Sequence, residues 1–205
     1  MSTFAKLSFY NSAKDVAPSK EITITELVRI IHDGDYADTV ARVRAATTED
    51  EKRAAKMKLP AVQVSGRVTE GNRGQAFVQG RFEHSGWVQI DIDEDGLNGM
   101  TPEEARKILG ADSHILCAFI TPSGEGVKGL ARIKPCESEA EHKAAWLALE
   151  MYICKTYGFT IDPATKDSGR LCFLSADAEC TWNGAVVEFV PPVVAAPVAV
   201  PFLEL

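Results

Sequence analysis

The sequence predicts an α+β domain with a mixed or antiparallel central sheet flanked by helices. Short apolar runs that alternate with polar residues indicate strands, and capped segments with helical spacing separate them. These elements interleave without the strict strand–helix–strand rhythm of a parallel sheet. The chain has 205 residues, of which 45% are hydrophobic and 25% charged, and this suits one globular domain with a sizeable core.

Residues 1–60 are expected to form an N-terminal strand and a helical region that pack on the core. The apolar run at residues 4–10 predicts an edge strand. Three helices should follow it, because helix-starting and helix-ending residues recur at suitable spacing. The residues that indicate these helices are Thr23 with Glu26, Gly34, Tyr36 with Val40 and Val43, Thr48 with Glu51, and Pro60.

Residues 61–190 are expected to form the core domain. Strands are predicted at residues 61–68, 75–82, 86–93, 114–120, 127–133, 170–175 and 185–190. Two helices are predicted, one from Thr101 to Gly110 and one from Ser138 to Gly158, because each begins at an N-capping residue. Residues 191–205 are rich in Pro and Val, so they cannot pair as a central strand and are predicted to be a linker or tail.

Composition narrows the functional classes. The formal net charge of −7 argues against a broad basic surface that binds nucleic acid non-specifically, although it allows a local basic groove. Five widely spaced cysteines without a CxxC pair predict reduced thiols instead of a disulfide framework or a zinc site. We find no run of 18 apolar residues and no signal-peptide pattern, so a soluble, cytoplasmic protein is expected.

The strand at residues 86–93 ends in two carboxylates, Asp91 and Asp93. Side chains two positions apart in a strand project from the same face, with their roots about 6–7 Å apart. Two carboxylates at this separation can share hard divalent cations such as Mg²⁺ or Mn²⁺. The alternative is a solvated strand end that leads into a Gly-rich turn.

A second constellation lies in residues 121–128, between two predicted strands. Ser123, Gly124, Gly126 and Lys128 can surround a phosphate with backbone N–H groups, a hydroxyl and an ammonium group. The alternative is a simple hairpin turn that needs glycine, with Lys128 in solvent.

A third constellation begins at Asp162, which precedes Pro163 at the end of an extended segment. Asp162 can complete a three-carboxylate metal site, and Arg170 can reach a triphosphate. Alternatively, Asp162 caps a turn and Arg170 pairs with Asp167 at the surface.

In the order of these motifs, the chain resembles members of the archaeo-eukaryotic primase (primase-polymerase) superfamily. The chain is most similar to the VirE-type, or BT4734-like, N-terminal domain of mobile elements, over about residues 7–183. The segments that carry the resemblance are residues 59–66, 84–93, 121–128 and 167–175. The resemblance implies a primase-polymerase fold of the RRM-like palm type.

The resemblance also implies a function: a metal-dependent primase or DNA polymerase that replicates a phage or mobile element. Asp91, Asp93 and Asp162 would be the catalytic ligands of two Mg²⁺ or Mn²⁺ ions. The implied nucleotide-binding residues are Ser123, Gly124, Gly126, Lys128 and Arg170, and Lys128 stands where the family usually has a histidine. The implied partners are nucleoside triphosphates, a single-stranded template and a helicase that is separate or fused.

Template contact is predicted at Arg67, Arg73 and Arg81, which have aromatic residues near them in the sequence. Two alternative functions stay open. One is a catalytically inactive module of the same fold that binds nucleotide or nucleic acid for a helicase. The other is an Asp-x-Asp nuclease or phosphatase, which would need no triphosphate-binding loop.

Overall fold

The computed structural model of the chain describes residues 5–191, in which we find nine strands and five α-helices. The strands are β1 (Lys6–Tyr10), β2 (Lys20–Thr23), β3 (Ala61–Gln63), β4 (Gly66–Val68), β5 (Phe82–His84), β6 (Trp87–Ile92), β7 (Ile115–Ile120), β8 (Val127–Arg132) and β9 (Cys172–Phe173). The helices are α1 (Ile24–Asp33), α2 (Ala37–Ala45), α3 (Glu49–Lys56), α4 (Pro102–Gly110) and α5 (Glu139–Tyr157).

The strands form three antiparallel groups, which confirms the predicted α+β class. One sheet has the order β2-β1-β3-β9, and it joins strands from the N-terminal region to strands from the core region. A second sheet has the order β6-β8-β7, with β8 in the centre. The strands β4 and β5 form a separate two-stranded ribbon.

The three-stranded sheet is buried on both faces. On one face, Trp87 and Leu130 join the apolar cluster built around β1, β3 and α1. On the other face, Val88, Ile90 and Ile92 pack with residues of α4 and α5 in a second cluster. Because side chains alternate along β6, its remaining residues project toward the first cluster and the four-stranded sheet.

Helix ends follow the predicted capping signals. Thr23 and Thr101 each form a complete capping box at the start of α1 and α4. Ser138 accepts a hydrogen bond from the backbone of Glu141 at the start of α5. Gly158 ends that helix with φ = 74°, a conformation that glycine adopts without steric cost.

Two strand predictions in the first half of the chain were wrong, one in the position of the strand within its sheet and the other in its continuity. The first strand, β1, is not an edge, because it pairs with β2 on one side and β3 on the other. The predicted strand at residues 61–68 is divided by a turn into β3 and β4. Burial explains the position of β1, since residues 7–10 are all buried and both faces of the strand are covered.

The strand predicted at residues 75–82 was also wrong. A 3₁₀ turn at Arg73–Gln75 and further turns occupy the segment, and pairing begins only at β5. Gly80 has φ = 69°, which lies outside the extended region and ends any strand before it.

Predictions near the C-terminus were too long. The strand expected at residues 170–175 is reduced to β9, and the strand expected at 185–190 is a single bridge between Phe189 and Ile133. Of the predicted linker, residues 192–205 lie outside the described part of the chain. Within residues 5–191, none of the helices combines the length and the apolar character needed to cross a membrane.

Candidate functional site

The two aspartates of the acidic strand lie at the end of β6. Asp91 is its second-last residue and is largely buried, with 14% of its side chain exposed. Asp93 follows the last residue of the strand and is exposed. The backbone at Asp93 stays extended, so both carboxylates continue the alternation that points Trp87 toward the four-stranded sheet.

Lys128 lies directly opposite Asp91 in the pairing of β6 with β8. Its ammonium group contacts Asp91 Oδ2, and only 5% of the side chain is exposed. Burial acts to lower the pKa of Lys128, but the Asp91 carboxylate outweighs it, and the net pKa is raised above its ordinary value. Lys128 is therefore a buried cation and not the solvated lysine of the hairpin alternative.

The second oxygen of Asp91 has a different environment. Asp91 Oδ1 is buried and finds no hydrogen-bond partner among the described residues. An unpaired carboxylate oxygen in a buried position is costly unless a donor or a cation satisfies it. One oxygen of Asp91 is thus paired with Lys128, and the other is buried without a partner within residues 5–191.

Asp162 joins the two strand-end aspartates through the backbone. Its N–H group donates a hydrogen bond of 2.8 Å to the carbonyl oxygen of Asp91. Asp162 Oδ1 accepts from the N–H of Ala164 at 2.9 Å, so the residue also caps the short 3₁₀ helix at Pro163–Lys166. Asp162 Oδ2 lies 3.8 Å from Arg170 Nη2, which means that Arg170 faces Asp162.

The pKa of Asp93 responds to the charged groups around it. Partial loss of solvent raises the pKa of Asp93, and the Asp91 charge adds to this effect. Asp162 acts in the same direction, whereas Lys128 opposes it. A cation between these groups would relieve their repulsion.

The donor set fits Mg²⁺ or Mn²⁺, because these hard ions prefer carboxylate oxygens and Asp91 Oδ1 is unpartnered. The carboxylates are not yet closed around a common point. Asp91 directs one oxygen to Lys128, and Asp162 directs one to the N–H of Ala164. The geometry is therefore that of an acidic cluster whose side chains must rotate to surround an ion.

Two further residues of this cluster escaped sequence reasoning. Lys56, at the end of α3, has its ammonium group 5.3 Å from the centre of the Phe173 ring. Burial lowers the pKa of Lys56, and the Lys128 charge lowers it further. Cys172 is fully buried beside Lys128 and Asp91, and burial raises the pKa of its thiol to about 11. No local pattern marks Lys56, because only the packing of α3 brings it here.

The loop between β7 and β8 uses its own polar groups internally. The N–H of Gly124 donates to the carbonyl oxygen of Thr121, and the N–H of Gly126 donates to Thr121 Oγ1. Ser123 Oγ lies 3.0 Å from the same hydroxyl. The glycines thus shape a tight hairpin, and a phosphate at this loop would compete with these hydrogen bonds. Arg44 packs against the loop, since its Nη2 donates to the Thr121 carbonyl at 3.4 Å.

Gly126 sets the distance between this loop and the acidic strand end. A Cβ at this position would lie 2.4 Å from the carbonyl oxygen of Ile92 and 3.2 Å from Asp93 Cα. We expect Gly126→Ala to displace the end of β6 and to lower the free energy of unfolding by about 1–3 kcal/mol. Urea denaturation measures this change.

Gly74→Ala is the matched control for this substitution, because a Cβ at Gly74 meets no atom within 4 Å. It should change stability by less than about 0.5 kcal/mol. Equal stability of the two variants would contradict the close approach of the loop to β6.

Two of the three arginines predicted to contact a template are already engaged by other residues. Arg67 forms ion pairs with Glu21 and Glu83. Arg73 donates to the carbonyl oxygens of Ala13 and Asp15. The guanidinium of Arg81 lies beside Gly71, and its Nε is buried without a partner among the described residues. Nucleic acid would have to replace existing contacts at Arg67 and Arg73.

A groove of about 1010 Å³ opens next to the acidic cluster. Its walls come from the turn at residues 72–78 and the segment at residues 167–171, and they include Phe77, Lys143, Arg170 and Phe173. Arg170 and Phe173 also border the cluster, through Asp162 and Lys56 respectively. Arg170 and Phe173 are therefore shared between the groove and the surroundings of the cluster, whereas the three aspartates are not among the residues that line the groove.

Comparison with known proteins identifies the family. A family model described as BT4734-like, N-terminal domain matches residues 54–182, which is more than half of the chain. No curated protein and no solved structure matches the chain. The matched range contains all of the acidic cluster and its cations, namely Lys56, Asp91, Asp93, Lys128, Asp162 and Arg170. The chain belongs to the BT4734-like N-terminal domain family.

Proposed function

We propose that the chain is a metal-dependent nucleotidyltransferase, the primase or DNA polymerase domain of a phage or mobile element. One observation carries the proposal. Three aspartates from two separate segments, Asp91, Asp93 and Asp162, meet at one end of a sheet beside three cationic side chains. The cations are Lys56, Lys128 and Arg170. Carboxylates for divalent ions and cations for phosphates are the two components that phosphoryl transfer requires.

The residues have distinct roles in this proposal. Asp91, Asp93 and Asp162 would hold Mg²⁺ or Mn²⁺, which supply activation of the attacking hydroxyl and stabilisation of the leaving pyrophosphate. Arg170 is half-exposed and lies at the mouth of the groove, so it can bind a triphosphate through two parallel hydrogen bonds. Lys128 orients the Asp91 carboxylate, because it holds Oδ2 and leaves Oδ1 without a partner among the described residues.

The groove beside the cluster suits a single-stranded template. Phe77 and Phe173 offer aromatic faces, and Lys143 and Arg170 offer positive charge for the backbone. The groove also contains Asp167, which pairs with Lys143 at 2.9 Å, so the positive field is local. This fits a chain with a net charge of −7 better than a wide basic surface does. A helicase acting with the domain belongs to the same proposal.

Nucleotide incorporation on single-stranded templates with Mn²⁺ or Mg²⁺ tests the function, with and without a primer. We expect Asp93→Asn to lower the rate at least about 100-fold, because losing a charged ligand removes about 3 kcal/mol or more of transition-state stabilisation. Asp95→Asn is the matched control. Asp95 is exposed and lies two residues after Asp93, and its substitution removes the same charge. Synthesis that persists in Asp93→Asn would contradict the proposed metal site.

A second function, binding of nucleotide without turnover, is favoured by one specific contact. The ammonium group of Lys128 occupies one oxygen of Asp91, where a second metal ion would otherwise bind. A domain of this kind would bind nucleoside triphosphates in the presence of Mn²⁺ and incorporate none. Equilibrium binding measured beside the incorporation assay separates the two functions, and hydrolysis of template or nucleotide alone would indicate a nuclease or phosphatase.

A further inference from the structure

Three side chains that can bind a transition-metal ion lie close together, outside the acidic cluster. His84 is the last residue of β5, Cys136 lies between β8 and α5, and His142 is in the first turns of α5. One ligand atom from each residue lies within 4.8 Å of those of the other two. Among the described His, Cys, Asp and Glu residues, no other group of three brings its ligand atoms within this distance of one another.

His142 is buried, and the partly buried His84 is in contact with it. His84 Nε2 lies 3.0 Å from His142 Nδ1, and His142 has no exposed surface. Burial lowers the pKa of His84 to about 3 and that of His142 to about 4, so both rings are neutral at pH 7. Neutral imidazole is the form that binds a metal ion.

The hydrogen bonds around the rings fix their tautomers. His84 Nδ1 accepts from the N–H of Gly86 at 2.9 Å, so the ring proton of His84 is on Nε2 and points to His142 Nδ1. The proton of His142 is then on Nε2, where it finds no acceptor among the described residues. The pair is therefore incompletely satisfied by the protein.

We propose that His84, Cys136 and His142 form a binding site for a borderline transition-metal ion of the Zn²⁺ class. Imidazole nitrogen and thiolate sulfur are both ligands of tetrahedral zinc, and with three protein ligands a water molecule would fill the fourth position. The ion joins the β4–β5 ribbon to the start of α5 and to the connection that precedes it. This site is independent of the carboxylate cluster, whose oxygen ligands suit harder ions.

Binding changes the protonation of the site in a defined way. The Cys136 thiol, whose pKa burial raises to about 11, loses its proton to solvent as the metal–sulfur bond forms. Each imidazole keeps one proton. The proton of His84 moves from Nε2 to Nδ1, and the N–H of Gly86 consequently loses its acceptor. The amide resonance of Gly86 should therefore shift on metal binding.

Titration of the full chain with Co²⁺ tests the site, because thiolate ligation gives a charge-transfer band in the near ultraviolet and tetrahedral geometry gives strong visible bands. We expect one equivalent of Co²⁺ to produce both, and Zn²⁺ to displace it. Cys136→Ser should abolish the charge-transfer band. Cys154→Ser is the matched control, since Cys154 is an exposed cysteine on α5, and it should keep the full signal.

A second measurement needs no variant. In the unaltered protein, Zn²⁺ should slow alkylation of Cys136 at least tenfold and leave that of Cys154 unchanged, as mapped by mass spectrometry. Absence of the charge-transfer band, or equal signals from both cysteine variants, would overturn the proposal, as would equal alkylation of Cys136 with and without Zn²⁺. The signal should persist in Asp93→Asn, so failure of this site and failure of the proposed function are distinguishable.

Discussion

Lys128→Met is expected to lower the free energy of unfolding by about 3–5 kcal/mol, because it leaves the Asp91 carboxylate buried without a cation. Asp91 Oδ1 already lacks a partner among the described residues, and the substitution would leave Oδ2 in the same state. Methionine has a similar length and preserves packing against neighbouring apolar groups. Urea denaturation in the presence of a chelator measures the loss, since a bound divalent ion would conceal part of it.

Two controls isolate the buried charge as the cause. The double variant Asp91→Asn/Lys128→Met removes both charges and should recover more than half of the lost stability, as a double-mutant cycle would show. Lys52→Met disrupts a lysine–carboxylate pair in which Glu125 is 49% exposed, and it should cost less than about 1 kcal/mol. If Lys128→Met lowered the free energy of unfolding no more than Lys52→Met does, the buried Lys128–Asp91 pair would not stabilise the protein more than an exposed pair, which would contradict the prediction.

Asp91→Asn is expected to abolish metal-dependent nucleotide incorporation, with a loss of at least about 1000-fold. The substitution removes the charge that binds the ion and also the partner that holds Lys128, so two components of the site fail together. The rate should be expressed per folded molecule, because a buried and unpaired Lys128 also destabilises the protein. Radiolabelled or fluorescent primer extension gives this rate directly.

Asp177→Asn is the matched control for this loss. Asp177 is 7% exposed and pairs with the buried Arg106, so its replacement also removes one of the two carboxylates that hold a buried cation, the other being Glu179. It should destabilise the protein while leaving incorporation per folded molecule within about twofold of the wild type. Comparable losses of activity in the two variants would mean that destabilisation, and not the metal ligand, explains the result.

Lys128→His separates the two candidate functions. The imidazole is shorter than lysine and is neutral above its pKa, so it frees Asp91 Oδ2 for a second ion. If the wild type binds nucleotides without incorporating them, this variant should acquire incorporation. If the wild type is an active enzyme, the variant should retain activity that still disappears when Asp91→Asn is added.

Much of the site was accessible from local sequence patterns. Alternation in residues 86–93 correctly predicted β6 with its two acidic residues, because a period of two is set by the strand backbone itself. The capping residues Thr101 and Ser138 correctly predicted the starts of α4 and α5, since a cap satisfies N–H groups within three residues of itself. The hairpin at residues 121–126 also followed from its own glycines and hydroxyls.

Long-range pairing was beyond the sequence. The position of β1 inside its sheet depends on β2 and β3, and the second of these lies some fifty residues away. Of the strand predicted at residues 170–175, only β9 is formed, because only those residues pair with β3. Strand pairing is a contact between distant segments, and apolar alternation shows that a strand can form without showing where it lies.

The sequence by itself determined which chemical groups the chain offers: three aspartates, a lysine and an arginine in fixed order on strand ends and loops. Only the tertiary structure decided what those groups do to one another. The register of β6 against β8 placed Lys128 opposite Asp91, and the packing of α3 brought Lys56 to the same end. The fold also brought two histidines and Cys136 together, although the spacing of the cysteines in the sequence had argued against a zinc site. The physical reason is that charge interactions and metal ligation depend on distances in space, which folding sets and sequence separation does not.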